Sequence, residues 1–69
     1  MFIEVTIAGS GEEILLNAAS IISVGIPQPR VQQEYATTGY PANAFVDTHG
    51  RLYVCEPYLR IKSMLKGEN

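Results

Sequence analysis

The sequence predicts a mainly β fold of the α+β class: a curled antiparallel sheet of about five strands, closed by one C-terminal helix. Three observations predict it. Apolar and polar residues alternate with period 2 through much of residues 2–26 and again over 43–55. Glycine-rich turns separate those runs. One stretch near the C-terminus instead repeats its apolar residues at helical spacing, between a proline and a glycine. A chain of 69 residues makes one domain, 1–69, and 46% hydrophobic against 17% charged residues excludes a disordered chain.

In Phe2–Ala8, Ile3, Val5 and Ile7 share one face and Glu4 and Thr6 the other, which reads as a strand with one buried side. Gly9-Ser10-Gly11-Glu12 is turn chemistry, because glycine reaches positive φ without steric cost, and Glu13-Ile14-Leu15-Leu16 completes a hairpin. Asn17-Ala18-Ala19-Ser20 reads as a turn or a single helical turn, with the Asn17 side chain free to cap it. Ile21–Ile26 reads as the third strand, with Ile22, Val24 and Ile26 on one face, and Gly25 marks a bulge or a close backbone approach.

Residues 27–42 break the pattern. Pro27, Pro29 and Pro41 bracket a polar stretch, read as a long connecting loop whose Val31–Tyr35 portion can extend and pair with a neighbouring subunit. Asn43–Asp47 and Arg51–Cys55 read as the last two strands, with Leu52 and Val54 pointing inward. Thr48-His49-Gly50 joins them, with Gly50 expected in the left-handed position of a bulged hairpin loop. The closing helix is expected over 57–66. Pro57 suits its first position, Gly67 suits the residue past its end, and Glu56 and the lysines Lys62 and Lys66 complement its dipole. Tyr58, Ile61, Met64 and Leu65 form its apolar stripe. Leu59 lies off that stripe, exposed for contact with another copy.

The order of these motifs resembles the FlbD-like small proteins encoded among bacterial flagellar genes. The likeness rests on Ile3-Glu4-Val5-Thr6, the Gly9–Gly11 turn, Ile14-Leu15-Leu16-Asn17 and Ile21, then Gly50, Tyr53-Val54-Cys55-Glu56 and Ile61. It spans most of the chain outside 27–42, where a short hairpin would be expected of the family. The resemblance implies the same fold order and a structural assembly role, with no enzymatic activity to transfer.

Size constrains function further. A domain of about 60 residues buries only about 60% of the surface its unfolded chain exposes, and such domains usually lean on disulfides, a metal or a partner subunit. Cys55 is the only cysteine and His49 the only histidine. No internal disulfide can form and a dedicated zinc site is disfavoured, so self-association is the expected remedy. A lone cysteine suits a reducing compartment. No signal-peptide pattern opens the sequence and no apolar run approaches the ~20 residues of a membrane span, so a cytoplasmic protein without membrane contact is expected. A net charge of −2 argues against a binder of duplex nucleic acid.

No catalytic residue, metal site or cofactor is assigned. His49 on a hairpin turn and Cys55 down the return strand are carried apart at about 3.3 Å per residue. Glu12 and Glu13 read as a solvated rim. Gly9-Ser10-Gly11 opens no helix and lacks the lysine of a phosphate-binding loop. The strongest lead is the 28–43 segment, which offers Arg30, Tyr35, Thr37, Thr38, Tyr40 and Asn43. Tyrosine and arginine combine flat apolar area with donors, and are enriched at protein interfaces. The expectation is a non-enzymatic interaction module, a homo-oligomer that grips a partner protein through this segment, as a phage-type accessory protein that blocks a host factor would. The alternatives are capture of a small anionic, nucleotide-like ligand between subunits and a purely structural role. Charge is lopsided too: Arg51, Arg60, Lys62 and Lys66 are four of the five basic residues, while Glu4, Glu12, Glu13, Glu34 and Asp47 all precede them.

Overall fold

The computed structural model describes residues 1–67. In chain order the elements are β1 (Phe2–Thr6), β2 (Glu13–Asn17), a single 3-10 turn (Ala18–Ser20), β3 (Ser23–Gly25), α1 (Pro29–Tyr35), β4 (Ala44–Asp47), β5 (Arg51–Val54) and α2 (Tyr58–Leu65). The result is a small α+β domain. Its strands form two antiparallel sheets, β1-β2 and β3-β4-β5, rather than the single curled sheet the alternation suggests.

The division has a local cause. Past Thr6 the chain still bonds the hairpin turn, Ile7 N–H donating to the Glu12 carbonyl (2.8 Å), and its other edge makes one bridge to β5, Ile7 opposite Val54, with Ala8 N–H donating to the Tyr53 carbonyl (2.9 Å) and Cys55 N–H to the Thr6 carbonyl (2.8 Å). The ladder cannot extend back along β1, because the Glu56 carboxylate accepts both the Thr6 amide (2.8 Å) and the Thr6 hydroxyl (2.9 Å). A side chain stands where the next strand carbonyl would be. Glu56, expected merely to sit at the positive end of the last helix, therefore clamps the seam between sheets. Pro57 is the N-cap of α2, with no side-chain capping bond.

The inner faces of both sheets meet on α2. Ile3, Val5, Ala44, Val46, Val54 and Ile61 form the buried cluster, and Ile14, Leu16, Leu52, Tyr58, Met64 and Leu65 are among the half-buried residues that surround it. The helix stripe and the inward faces of β1 and β5 follow the sequence periodicity. β3 does not. Only Ser23–Gly25 pair with β4, and Ile22 and Ile26, expected beside Val24, are 78% and 63% exposed. Pro27 lacks the N–H that would prolong the ladder. Gly25 provides the close approach its position suggests: the Phe45 ring lies over it, and a Cβ there would stand 2.4 Å from Phe45 Cζ.

Residues 27–42 also differ from the irregular loop expected. Pro29–Tyr35 form a helix, with Pro29 in the first turn and the Gln32 side-chain amide (Nε2) donating to the Pro27 carbonyl (2.9 Å). Proline is pre-organised for a helix start, and Arg30, Gln32, Gln33 and Glu34 are good helix formers. No residue of α1 is fully buried, so no apolar stripe announces it. Gly50 does not take the left-handed conformation: among the described residues positive φ falls at Gly9, Gly11, Gly39 and Gly67. The β4–β5 turn is held instead by Thr48 N–H on the Gly50 carbonyl (3.0 Å) and by Arg51 on Asp47.

On the outer face of the three-stranded sheet, Asp47 accepts Arg51 Nε at 2.9 Å and the Ser23 hydroxyl at 2.7 Å. The Arg51 guanidinium lies 3.8 Å from the Phe45 ring centroid. The hydrogen bond from Arg51, then that from Ser23, holds the Asp47 carboxyl below its ordinary value of 3.8.

Two outcomes follow from this face. Gly25→Ala lowers stability by about 1–3 kcal/mol in urea unfolding, because Phe45 must leave its seat beneath Arg51. A depressed carboxyl stabilises the fold above its unfolded pKa and loses that contribution as pH falls through the folded value. The melting temperatures of the native protein and Asp47→Asn therefore converge as pH drops from about 5 to about 2. A constant gap over that range would show that Asp47 does not act through its charge.

Candidate functional site

The 27–43 segment lies against the hairpin turn and the outer face of β5. Asn43 fastens its far end, donating its backbone N–H to the Val54 carbonyl (2.9 Å) and its side-chain amide to the Cys55 carbonyl (2.7 Å). Thr38 organises the turn after α1: its hydroxyl bonds the Tyr35 carbonyl at 2.8 Å and accepts the Tyr40 N–H at 3.1 Å. The Tyr35 ring packs on Gly9 and meets Tyr53 with ring centroids 5.9 Å apart, tilted by 42°. The Tyr40 carbonyl accepts the Gly9 N–H at 2.8 Å, and the Tyr40 ring covers Gly11 so closely that a Cβ there would stand 2.4 Å from Cζ. Both turn glycines have positive φ, 86° and 77°, and both serve as tyrosine seats.

The structure thus brings the sequence-selected residues to one side of the domain but commits Tyr35, Thr38, Tyr40 and Asn43 to contacts within the chain. Arg30, Thr37 and 45% of Tyr40 face solvent. Leu59 stands apart on α2 and is 69% exposed.

A second feature was not singled out from sequence. Between α2 and the segment joining β2 to β3 runs an open groove of about 450 Å³. Half-buried Ile21, Val24, Tyr58 and Leu65 line it, and exposed Ile22, Lys62 and Lys66 border it. The signal was divided between two elements more than thirty residues apart, an Ile-Ile pair and a Lys-x-x-x-Lys spacing. Only the packing of α2 on β3 joins them.

The outer face of β1–β2 is the third exposed surface. Phe2 and Leu15 are 65% and 66% exposed there, beside Glu4 and Glu13. The hydrogen bond between the Glu4 and Glu13 carboxyl groups, then their like charge, pushes the Glu4 carboxyl up.

The remaining reactive groups are separate. His49 is exposed in the β4–β5 turn, and Cys55 is half-buried with its thiol facing the Ile7 carbonyl (4.0 Å). Burial, then the neighbouring Glu56 charge, pushes the Cys55 thiol up and disfavours the thiolate. Among the described residues no group of three or more His, Cys, Asp or Glu side chains is placed to hold a metal, and no helix is long and apolar enough to cross a membrane.

The tyrosine contact can be measured. Tyr35→Ala and Tyr53→Ala each destabilise the domain, and a double-mutant cycle in urea returns a coupling of about 0.5–1.5 kcal/mol. A coupling near zero would mean that the rings contribute by burial alone.

Comparison with known proteins finds no matching family model, no similar curated protein and no similar solved structure.

Proposed function

We propose that this protein is a non-enzymatic interaction module that acts as a homo-oligomer. One observation carries the reading: large apolar side chains, an aromatic and two leucines among them, stand outside, while the buried hydrophobic set holds only isoleucine, valine and alanine. Phe2, Leu15, Ile22, Ile26 and Leu59 are each more than 60% exposed. Ala8, Ala42 and Ala44 contribute to the buried set, and the largest fully buried side chains are Ile61, Val5, Val46 and Val54. A domain this short has little burial to spare, and a second copy is the remedy compatible with its single cysteine and single histidine.

The same segment that braces the hairpin serves a partner protein with its outward groups. Arg30 and Tyr40 are of the types enriched at interfaces, and Thr37 adds a hydrogen-bonding group beside them. The raised Cys55 thiol and the exposed, solitary His49 favour binding over nucleophilic chemistry.

Light scattering coupled to size exclusion, at tens of micromolar chain, tests the reading. A mass at a multiple of 7.6 kDa is expected. A stable particle of 7.6 kDa at that concentration would overturn it.

A further inference from the structure

We infer that the groove beside α2 receives the outer face of the β1–β2 hairpin from a second copy, so that copies join head to tail. This rests on the self-association proposed above and names the two surfaces that make it.

The two surfaces cannot meet within one molecule. β1 and β2 send Ile3, Val5, Ile14 and Leu16 toward the core, where Ile61 of α2 is buried, and turn Phe2, Glu4, Glu13 and Leu15 away from it. The groove is lined instead by Tyr58, Lys62, Leu65 and Lys66 of the C-terminal helix region and by the Ala18–Val24 segment, and by no residue of β1 or β2. A contact between them must come from another chain.

They match in chemistry. The groove has an apolar lining bordered by two cations, Lys62 and Lys66. The hairpin face has two exposed apolar side chains accompanied by two anions. Strand register pairs Glu4 with Leu15, Phe2 with Asn17 and Thr6 with Glu13, so Phe2 and Leu15 are diagonal neighbours and Glu4 and Glu13 lie diagonally beside them. The Glu4 and Glu13 carboxyls already crowd one another, and two ammonium groups would neutralise them. Burial of Phe2 and Leu15 against Ile21, Val24, Tyr58 and Leu65 supplies the apolar part, while the charges set orientation. Because the two patches differ, the contact is heterologous, and it closes into a ring or continues as a filament according to the rotation between copies.

Charge reversal in both directions tests this. Lys62→Glu with Lys66→Glu makes the groove acidic; Glu4→Lys with Glu13→Lys makes the hairpin face basic. All four residues are exposed, so both variants should keep the native circular dichroism and cooperative melting. Each alone should associate at least about tenfold more weakly than the native protein in sedimentation equilibrium. An equimolar mixture should recover association, at least about tenfold stronger than that of either variant alone, because the groove of each variant then faces the other's hairpin of opposite charge. If the hairpin variant does not fold, Leu15→Ser replaces it and should also weaken association.

A native protein that is itself monomeric would remove both this inference and the self-association it rests on. A native oligomer whose groove variant remains equally associated would overturn only this inference, and would place self-contact on another surface. Weakening without recovery in the mixture would also overturn it, since the groove would then meet a surface of the second copy other than the hairpin.

Discussion

The domain is held together by a seam a few bonds wide. One bridge, Ile7 to Val54, joins the two sheets, and the Glu56 carboxylate closes the seam by taking both the amide and the hydroxyl of Thr6. The rest of the fold depends on that junction. It sets the hairpin over the three-stranded sheet, so that Ile3 and Val5 can meet Val46, Val54 and Ile61 in one cluster. It also puts the hairpin turn within reach of the 27–43 segment, which leans on Gly9 and Gly11. A charged side chain used as a backbone acceptor makes a stronger bond than a neutral carbonyl, which suits a junction with so few alternatives.

The thinness of the core and the character of the surface have one origin. Eight hydrophobic residues are buried, and three of them are alanines, so little of the chain's apolar content is absorbed inside. The excess is not scattered evenly. It lies on the outer hairpin face beside Glu4 and Glu13, along the β3 edge, where Ile22 shares the groove with Lys62 and Lys66, and at Leu59 on α2. An exposed apolar residue alone is ordinary; apolar residues framed by charge of one sign describe a surface with a preferred counterpart.

Much of the fold was legible in the order of residues. The hairpin, the Asn17-capped turn, the last two strands and the stripe around Ile61 follow from periodicity and turn chemistry, because each is decided by residues close in sequence. The failures are equally local in cause. α1 was hidden because it is short and half-exposed, so its helical propensity had no apolar rhythm to announce it, and its flanking prolines read as breakers. Ile22 and Ile26 alternate as a buried face should, yet the strand covers only Ser23–Gly25 and leaves both outside it. Glu56 looks like a helix-start residue, and its bonds to Thr6 span fifty positions. The candidate site was harder still. Arg30, Tyr35, Thr37, Thr38, Tyr40 and Asn43 were conspicuous by type, but type does not tell a tyrosine that grips a partner from one that covers a glycine. The groove was invisible, since Ile21 and Lys62 become neighbours only when α2 lies against β3.

The seating of Tyr35 on Gly9 and of Tyr40 on Gly11 has a consequence for how this protein can change over time. Both glycines are required by their backbone angle, and Gly11 also by the ring above it, so a side chain there is refused even if the tyrosine shrinks. The tyrosines, by contrast, can be traded for other flat groups while the glycines stay. Divergent versions of this fold would therefore keep Gly9 and Gly11 longer than the residues that cover them. The turn, rather than the more eye-catching aromatic segment, would be the mark by which a distant cousin is known.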